Sequence, residues 1–140
     1  MIRTLLHVVF AASVLLPSHG GASDDVPPAS PSAAVSFSRD IVPLLRRTCA
    51  TCHVTGSEAG SIALHPGAAY KSLVGVPSAQ SKWLRVKPNA PDESYLVMKL
   101  DGTHLDAGGT GARMPLGAPP LDDDTRRRIR EWIAAGAPDN

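Results

Sequence analysis

Aromatic side chains are scarce in this sequence: two Phe, two Tyr and two Trp among 140 residues, with Phe10 inside an N-terminal apolar run. Chains of this size bury a small core in any case, and aromatics are the residues that fill one fastest. Twelve glycines and thirteen prolines thin it further. A large apolar cofactor would supply the missing volume, although a small helical domain can also manage on Leu, Ile and Val. Charge imbalance is missing too. The net charge is +1 with acids and bases interspersed, which points away from nucleic acid and from a membrane-surface helix. No internal repeat is visible. Beyond the first residues no segment is long and apolar enough to span a bilayer.

The start of the chain has its own character. Arg3 precedes an apolar run from Leu5 to Leu16, and Pro17, Ser18, His19, Gly20, Gly21 and Ala22 follow. A basic start, a short apolar centre and small residues at the end describe a secretory signal peptide over residues 1–22. The run falls short of the roughly 20 residues of a transmembrane anchor, the competing reading. Residues 23–36, with Pro27, Pro28 and Pro31 among Ala, Ser and Asp, cannot offset their ordering entropy and are expected to form a flexible leader. The fold is then expected over residues 37–140, outside the cytoplasm and, in a bacterium, in the periplasm.

Only two cysteines are present, and they stand together in Cys49-Ala50-Thr51-Cys52-His53. A disulfide, a redox dithiol and a haem c attachment site all use such a pair. Two thiols three residues apart can each add to one vinyl group of a single porphyrin, and the adjacent His53 can then reach the iron. The haem reading explains the histidine, which the other two leave idle. A dithiol of the thioredoxin kind also wants a βαβ setting, and the residues before Cys49 read as helix. Zinc needs four tetrahedral ligands, and only His65 and His104 remain to complete a set.

The stretch from Phe37 to Pro138 resembles a class I c-type cytochrome domain, most closely the planctomycete-type cytochrome c domains of exported bacterial proteins. The residues that carry the resemblance are Phe37-Ser38-Arg39-Asp40-Ile41-Val42-Pro43-Leu44-Leu45, then Cys49 to His53, Ser94-Tyr95-Leu96, Arg113-Met114-Pro115, and Ile129 to Ala137 around Trp132. The Cys-x-x-Cys-His run alone is short. Its specificity comes from the later Met-Pro and the closing Trp-containing helix in the expected order. The resemblance implies an all-α fold of about four to five short helices with long loops around one covalent haem, the first and last helices crossing beside it.

The helix signals agree. Ser38 or Asp40 can cap a helix over about 40–50, with Pro43 confined to its first turn. A short helix should follow His65-Pro66 and end by Gly75, with Tyr70 and Leu73 inward. A third runs from Pro91 or Asp92 to Leu100, with Gly102 ending it. Asp122, Asp123 and Asp124 cap the last helix and complement its dipole. They also pair with Arg126, Arg127 and Arg128 one turn on, so calcium is not needed to explain them. Ile129, Trp132 and Ile133 form its apolar stripe. Arg126, Arg127, Arg128 and Arg130 read as a solvated face, with a docking patch for an acidic redox partner as the alternative. Gly108-Gly109-Thr110-Gly111 reads as a mobile loop.

His53 is the expected proximal iron ligand. With the signal removed, the remaining candidates for the distal position are Met98, Met114, His65 and His104. Met98 sits mid-helix, where Met is usually core filler. Met114 lies in a loop, restricted by Pro115, 61 residues after His53. The resemblance favours Met114, as the matching Met-Pro supplies the ligand in that family. His104 reads as a loop histidine that would otherwise give a bis-histidine site. Candidate groups around the cofactor are Trp83, Arg85, Lys87 and Arg113. By resemblance, Arg85 and Trp83 lie in the right stretch to meet haem propionates.

The expected function is one-electron transfer between unidentified redox partner proteins, with no bond chemistry of its own. A haem-c sensor or peroxidase-like protein with a displaceable sixth ligand is the alternative. A disulfide-stapled binding module without haem is a third.

Overall fold

The computed structural model describes residues 34–140. The expected signal peptide and nearly all of the leader lie outside the described residues. The end of the leader is the exception. Val35 packs on the core and Ser36 is buried, so the ordered domain begins slightly before the expected boundary at Phe37.

Among the described residues there are four α-helices: α1 (Val42–Thr48), α2 (Ala69–Leu73), α3 (Tyr95–Asp101) and α4 (Asp123–Ala134). A π-helical turn, Phe37–Ile41, leads into α1, and a 3-10 turn, Pro91–Glu93, precedes α3. The only strand-like contacts among the described residues are the isolated bridges Val74 with Val86 and Pro77 with Leu84. The described part of the chain is therefore small and mostly helical.

The helical stretch begins earlier than expected, with the π-helical turn at Phe37, because the cap is Ser36 and not Ser38 or Asp40, and α1 proper follows only from Val42. The Ser36 hydroxyl accepts from the Arg39 amide at 3.3 Å, and the Asp40 carboxylate accepts from the Ser36 amide at 2.8 Å. This reciprocal exchange satisfies two donors that a helix start leaves free. Pro43 then falls in the first turn of α1, where its missing N–H costs least.

The third expected helix is split. Ser94 adopts an extended backbone (ψ 120°) between the 3-10 turn and α3. Its hydroxyl donates to the Ala90 carbonyl and accepts from the Lys87 amide, both at 2.9 Å. A serine that bonds nearby backbone competes with continuous helix in this way. Gly102 ends α3 in the left-handed region, φ +83°, as expected of a C-terminal glycine. Asp122 caps α4 by accepting from the Thr125 amide at 2.9 Å.

The core gathers around α4. Trp132, Ile133 and Ile129 are fully buried. Phe37 lies with its ring centroid 5.2 Å from Trp132 and 5.2 Å from Tyr70. The Trp132 indole donates to the Pro138 carbonyl at 3.0 Å, and the Tyr70 hydroxyl donates to the Ala137 carbonyl at 3.0 Å. Ser38 and Phe37 amides donate to Asn140 at 2.8 Å each. These bonds fasten the entry to α1 against the segment after α4. Phe37, Tyr70 and Trp132 thus form one aromatic cluster, while Tyr95 stands against His104 instead.

The arginines of α4 include the exposed Arg127 and Arg128 and the half-buried Arg126 and Arg130, all four ion-paired. Arg126 and Arg130 both pair with Asp101 at the end of α3, at 3.1 and 2.6 Å, and Arg130 also reaches Asp92 at 2.6 Å. Arg127 pairs with Asp124 and Glu131, and Arg128 with Asp124. Each of the four is thus paired with a carboxylate of the same domain.

Candidate functional site

The domain holds a partly open, mainly apolar cavity of about 710 Å³, within the usual range for cofactor sites. Leu64, Leu73, Leu96, Leu100 and Leu121 supply much of its wall. Cys49, Cys52, His53 and Met114 also line it. Two segments more than 60 positions apart in the chain thus bring all four predicted attachment and ligand residues to one space.

The cysteines arrive through the end of α1. The Cys49 amide donates to the Leu45 carbonyl at 2.8 Å, closing the helix. The chain then turns tightly, with the Cys52 and His53 amides both donating to the Cys49 carbonyl, at 3.1 and 3.0 Å. One carbonyl gathers the whole five-residue run. The His53 carbonyl accepts from the Leu64 amide at 2.8 Å, which closes the intervening loop. Within that loop the Glu58 carboxylate accepts from the Thr55 and Gly56 amides at 3.0 and 2.9 Å. These bonds hold its carboxyl down at about 2.

Both cysteines are free thiols, Cys49 half-buried and Cys52 exposed. Burial, and secondarily the neighbouring Cys52, push the Cys49 thiol up to about 11. A redox dithiol works through a thiolate of lowered pKa, so this environment opposes the thioredoxin-type reading. His53 is shifted down, first by burial, against an upward pull from Glu58 and with a further downward push from Lys99. A neutral imidazole has a lone pair to offer a metal, and the His53 Nδ1 is buried with no hydrogen-bond partner. An apolar cavity, two thiols on its wall and a neutral imidazole beside them suit a covalently attached haem. No group of three or more His, Cys, Asp or Glu fit to hold a bare metal ion occurs among the described residues.

Met114 is fixed by its backbone. Its amide donates to the Lys99 carbonyl at 2.9 Å. Arg113 donates to the Met114 carbonyl at 3.1 Å and to the Ala118 carbonyl at 2.7 Å, bracing the turn. The Met114–Pro115 peptide bond is cis.

The other ligand candidates sit elsewhere. Met98 is core filler on α3 and does not line the cavity. His65 is exposed and outside it. His104 is not the surface histidine expected. It is 2% exposed, and its Nε2 bonds the Gly111 carbonyl at 2.8 Å. The Gly108–Gly111 segment is correspondingly tied down, because the Tyr95 hydroxyl and Lys99 Nζ also donate to the Thr110 carbonyl, at 3.1 and 2.9 Å. Gly109 has to be glycine, since a Cβ there would sit 2.5 Å from the Tyr95 hydroxyl.

Of the four groups expected near the cofactor, only Arg85 lines the cavity. Trp83 does not, because its single donor is committed to the Ala107 carbonyl at 3.1 Å. Lys87 pairs with Glu93 at 2.5 Å, and Arg113 is occupied by the Met114 turn. Sequence reasoning missed Lys99 and Gln80, which do line the cavity. A signal for Lys99 is present: it interrupts the apolar run from Tyr95 to Leu100, one helical turn after Tyr95 and Leu96.

Comparison with protein-family models, curated proteins and solved structures finds no match.

Proposed function

We propose that this chain is a one-electron carrier that holds one haem c through thioether bonds from Cys49 and Cys52, with His53 and Met114 as axial iron ligands. The observation that carries this reading is the convergence of those four residues on one apolar cavity, while Met98, His65 and His104 stand outside it. A bound haem supplies the reversible ferric–ferrous couple.

The chain's own residues set the conditions for that couple. The turn around the Cys49 carbonyl holds both thiols and the imidazole in one short arc. A thioether ligand favours the ferrous form and raises the potential relative to a bis-histidine site. The leucine wall disfavours the more highly charged oxidised centre, which works in the same direction. The braces on Met114 resist its loss, and a filled sixth position excludes oxygen and peroxide. This supports electron transfer over the sensor or peroxidase-like alternative.

Export fits the reading, since haem c is attached outside the bacterial cytoplasm, and residues 1–22 have the pattern of an export signal. No helix among the described residues is long and apolar enough to cross a membrane.

An optical spectrum of protein exported from a haem-c-competent host tests the proposal. A sharp reduced α-band with a weak near-infrared methionine band in the oxidised form is expected. High-spin five-coordinate features would favour the sensor or peroxidase-like protein, and a sample without a Soret band would end the haem reading.

A further inference from the structure

The wall of the cavity is unbalanced in charge. Arg47, Arg85 and Lys99 line it, and no Asp or Glu does. Lys99 is only 7% exposed. Its ammonium group donates to the Thr110 carbonyl at 2.9 Å and stands 5.7 Å from the centre of the Tyr95 ring. No acidic side chain pairs with it among the described residues, although six other basic side chains of the domain, on Arg39, Lys87, Arg126, Arg127, Arg128 and Arg130, are paired. A buried cation left without an anion is costly, and neutral carbonyls compensate only part of that cost.

A second donor meets Lys99 at Gly111. A Cβ placed on Gly111 would lie 3.2 Å from Lys99 Nζ and 3.3 Å from Gln80 Nε2. The ammonium and the amide therefore flank one point on the cavity wall, and glycine leaves that point open. Arg85 differs, because its guanidinium is already committed to three backbone carbonyls: Ser72 and Ser61 at 2.8 Å and Gly60 at 3.2 Å.

We propose that Lys99 Nζ and Gln80 Nε2 together hold one propionate carboxylate of the haem. The inference rests on the haem reading and adds the residues that orient the cofactor's acidic edge. A carboxylate there supplies the charge that the cavity wall lacks, and charge-assisted bonds of this kind are the strong ones. Lys99 is then a positioning residue whose positive charge favours the ferrous form.

The test uses haem-loaded protein in four versions: wild type, Lys99→Met, Lys99→Arg and Gln80→Leu. Lys99→Met should lower the reduction potential and shift the propionate-bending band in the resonance Raman spectrum. Lys99→Arg should restore most of both. Gln80→Leu, which leaves the lysine in place, should shift the Raman band with a smaller change in potential. The near-infrared methionine band should persist throughout, separating these effects from loosening of the Met114 turn. Haem-loaded Lys99→Met and Gln80→Leu with unaltered potentials and propionate bands would overturn the inference alone. If Lys99→Met does not accumulate, Gln80→Leu decides it. Wild-type protein without haem would overturn the functional reading and this inference with it.

Discussion

The carbonyl oxygen of Lys99 accepts a hydrogen bond from the amide of Met114 at 2.9 Å. The same residue donates from its side chain to the Thr110 carbonyl. One lysine on α3 thus holds the loop that presents Met114 at two points, and Tyr95 adds a third through Thr110. The glycine-rich stretch before Met114 is fastened to the helix that forms one wall of the cavity.

If Met114 ligates the haem iron as proposed, Met114→Ala should abolish the near-infrared methionine band and lower the reduction potential, because a soft ligand is removed. Haem should then remain attached, since the proposed thioether links to Cys49 and Cys52 are untouched. A surviving band would show that another residue ligates the iron.

His104→Gln offers the complementary check. His104 bonds the Gly111 carbonyl and stands outside the cavity. The variant should keep the methionine band, and its loss of a buried hydrogen bond should cost about 1 kcal/mol in denaturant unfolding. A change of axial ligation would contradict this placement.

Replacement of Trp132 by Ala should cost about 3–5 kcal/mol. The indole is fully buried, lies beside Phe37 and donates to the Pro138 carbonyl. Chemical denaturation followed by far-ultraviolet circular dichroism measures the loss. A cost below about 1 kcal/mol would mean that the core does not depend on this side chain.

Glu58 provides an acid-side prediction. Backbone bonds from Thr55 and Gly56 hold its carboxyl at about 2, against an ordinary value of 4.5. A carboxylate whose folded pKa is depressed contributes stability above its unfolded pKa and loses it as pH falls through the folded one. The turn at Thr55–Glu58 should therefore weaken progressively from about pH 4.5 to 2. Amide exchange at Thr55 and Gly56 reports it, and Glu58→Gln should remove that pH dependence. Unchanged pH dependence in the variant would sink the assignment.

Much of the domain is legible in the amino-acid sequence. Cys49, Cys52 and His53 stand out by residue type and close spacing, and Met114 by its place before Pro115 and the family resemblance. The last helix is readable from Asp122 to Gly136 because capping, dipole and apolar stripe are local signals. Ser94 shows where local signals fail. Its hydroxyl turns back on Ala90 and Lys87, and a helix pattern gives no warning of that competition. Ser36 reads as leader because its Pro- and Ala-rich neighbours hide a cap whose partners are Asp40 and, across the fold, Asn140.

What the sequence by itself determined is the inventory: the paired thiols with their histidine, the Met-Pro turn, the aromatic shortage and the helix ends. These depend on covalent spacing and on contacts within a turn or two. Only the tertiary structure decided which candidates share a space. It placed Met114 in the cavity and His104 outside it, tied Trp83 to Ala107, and brought Lys99 and Gln80 to the space beside Gly111. Those outcomes depend on contacts between residues far apart in the chain, whose proximity is set by how the whole core packs and not by any local pattern.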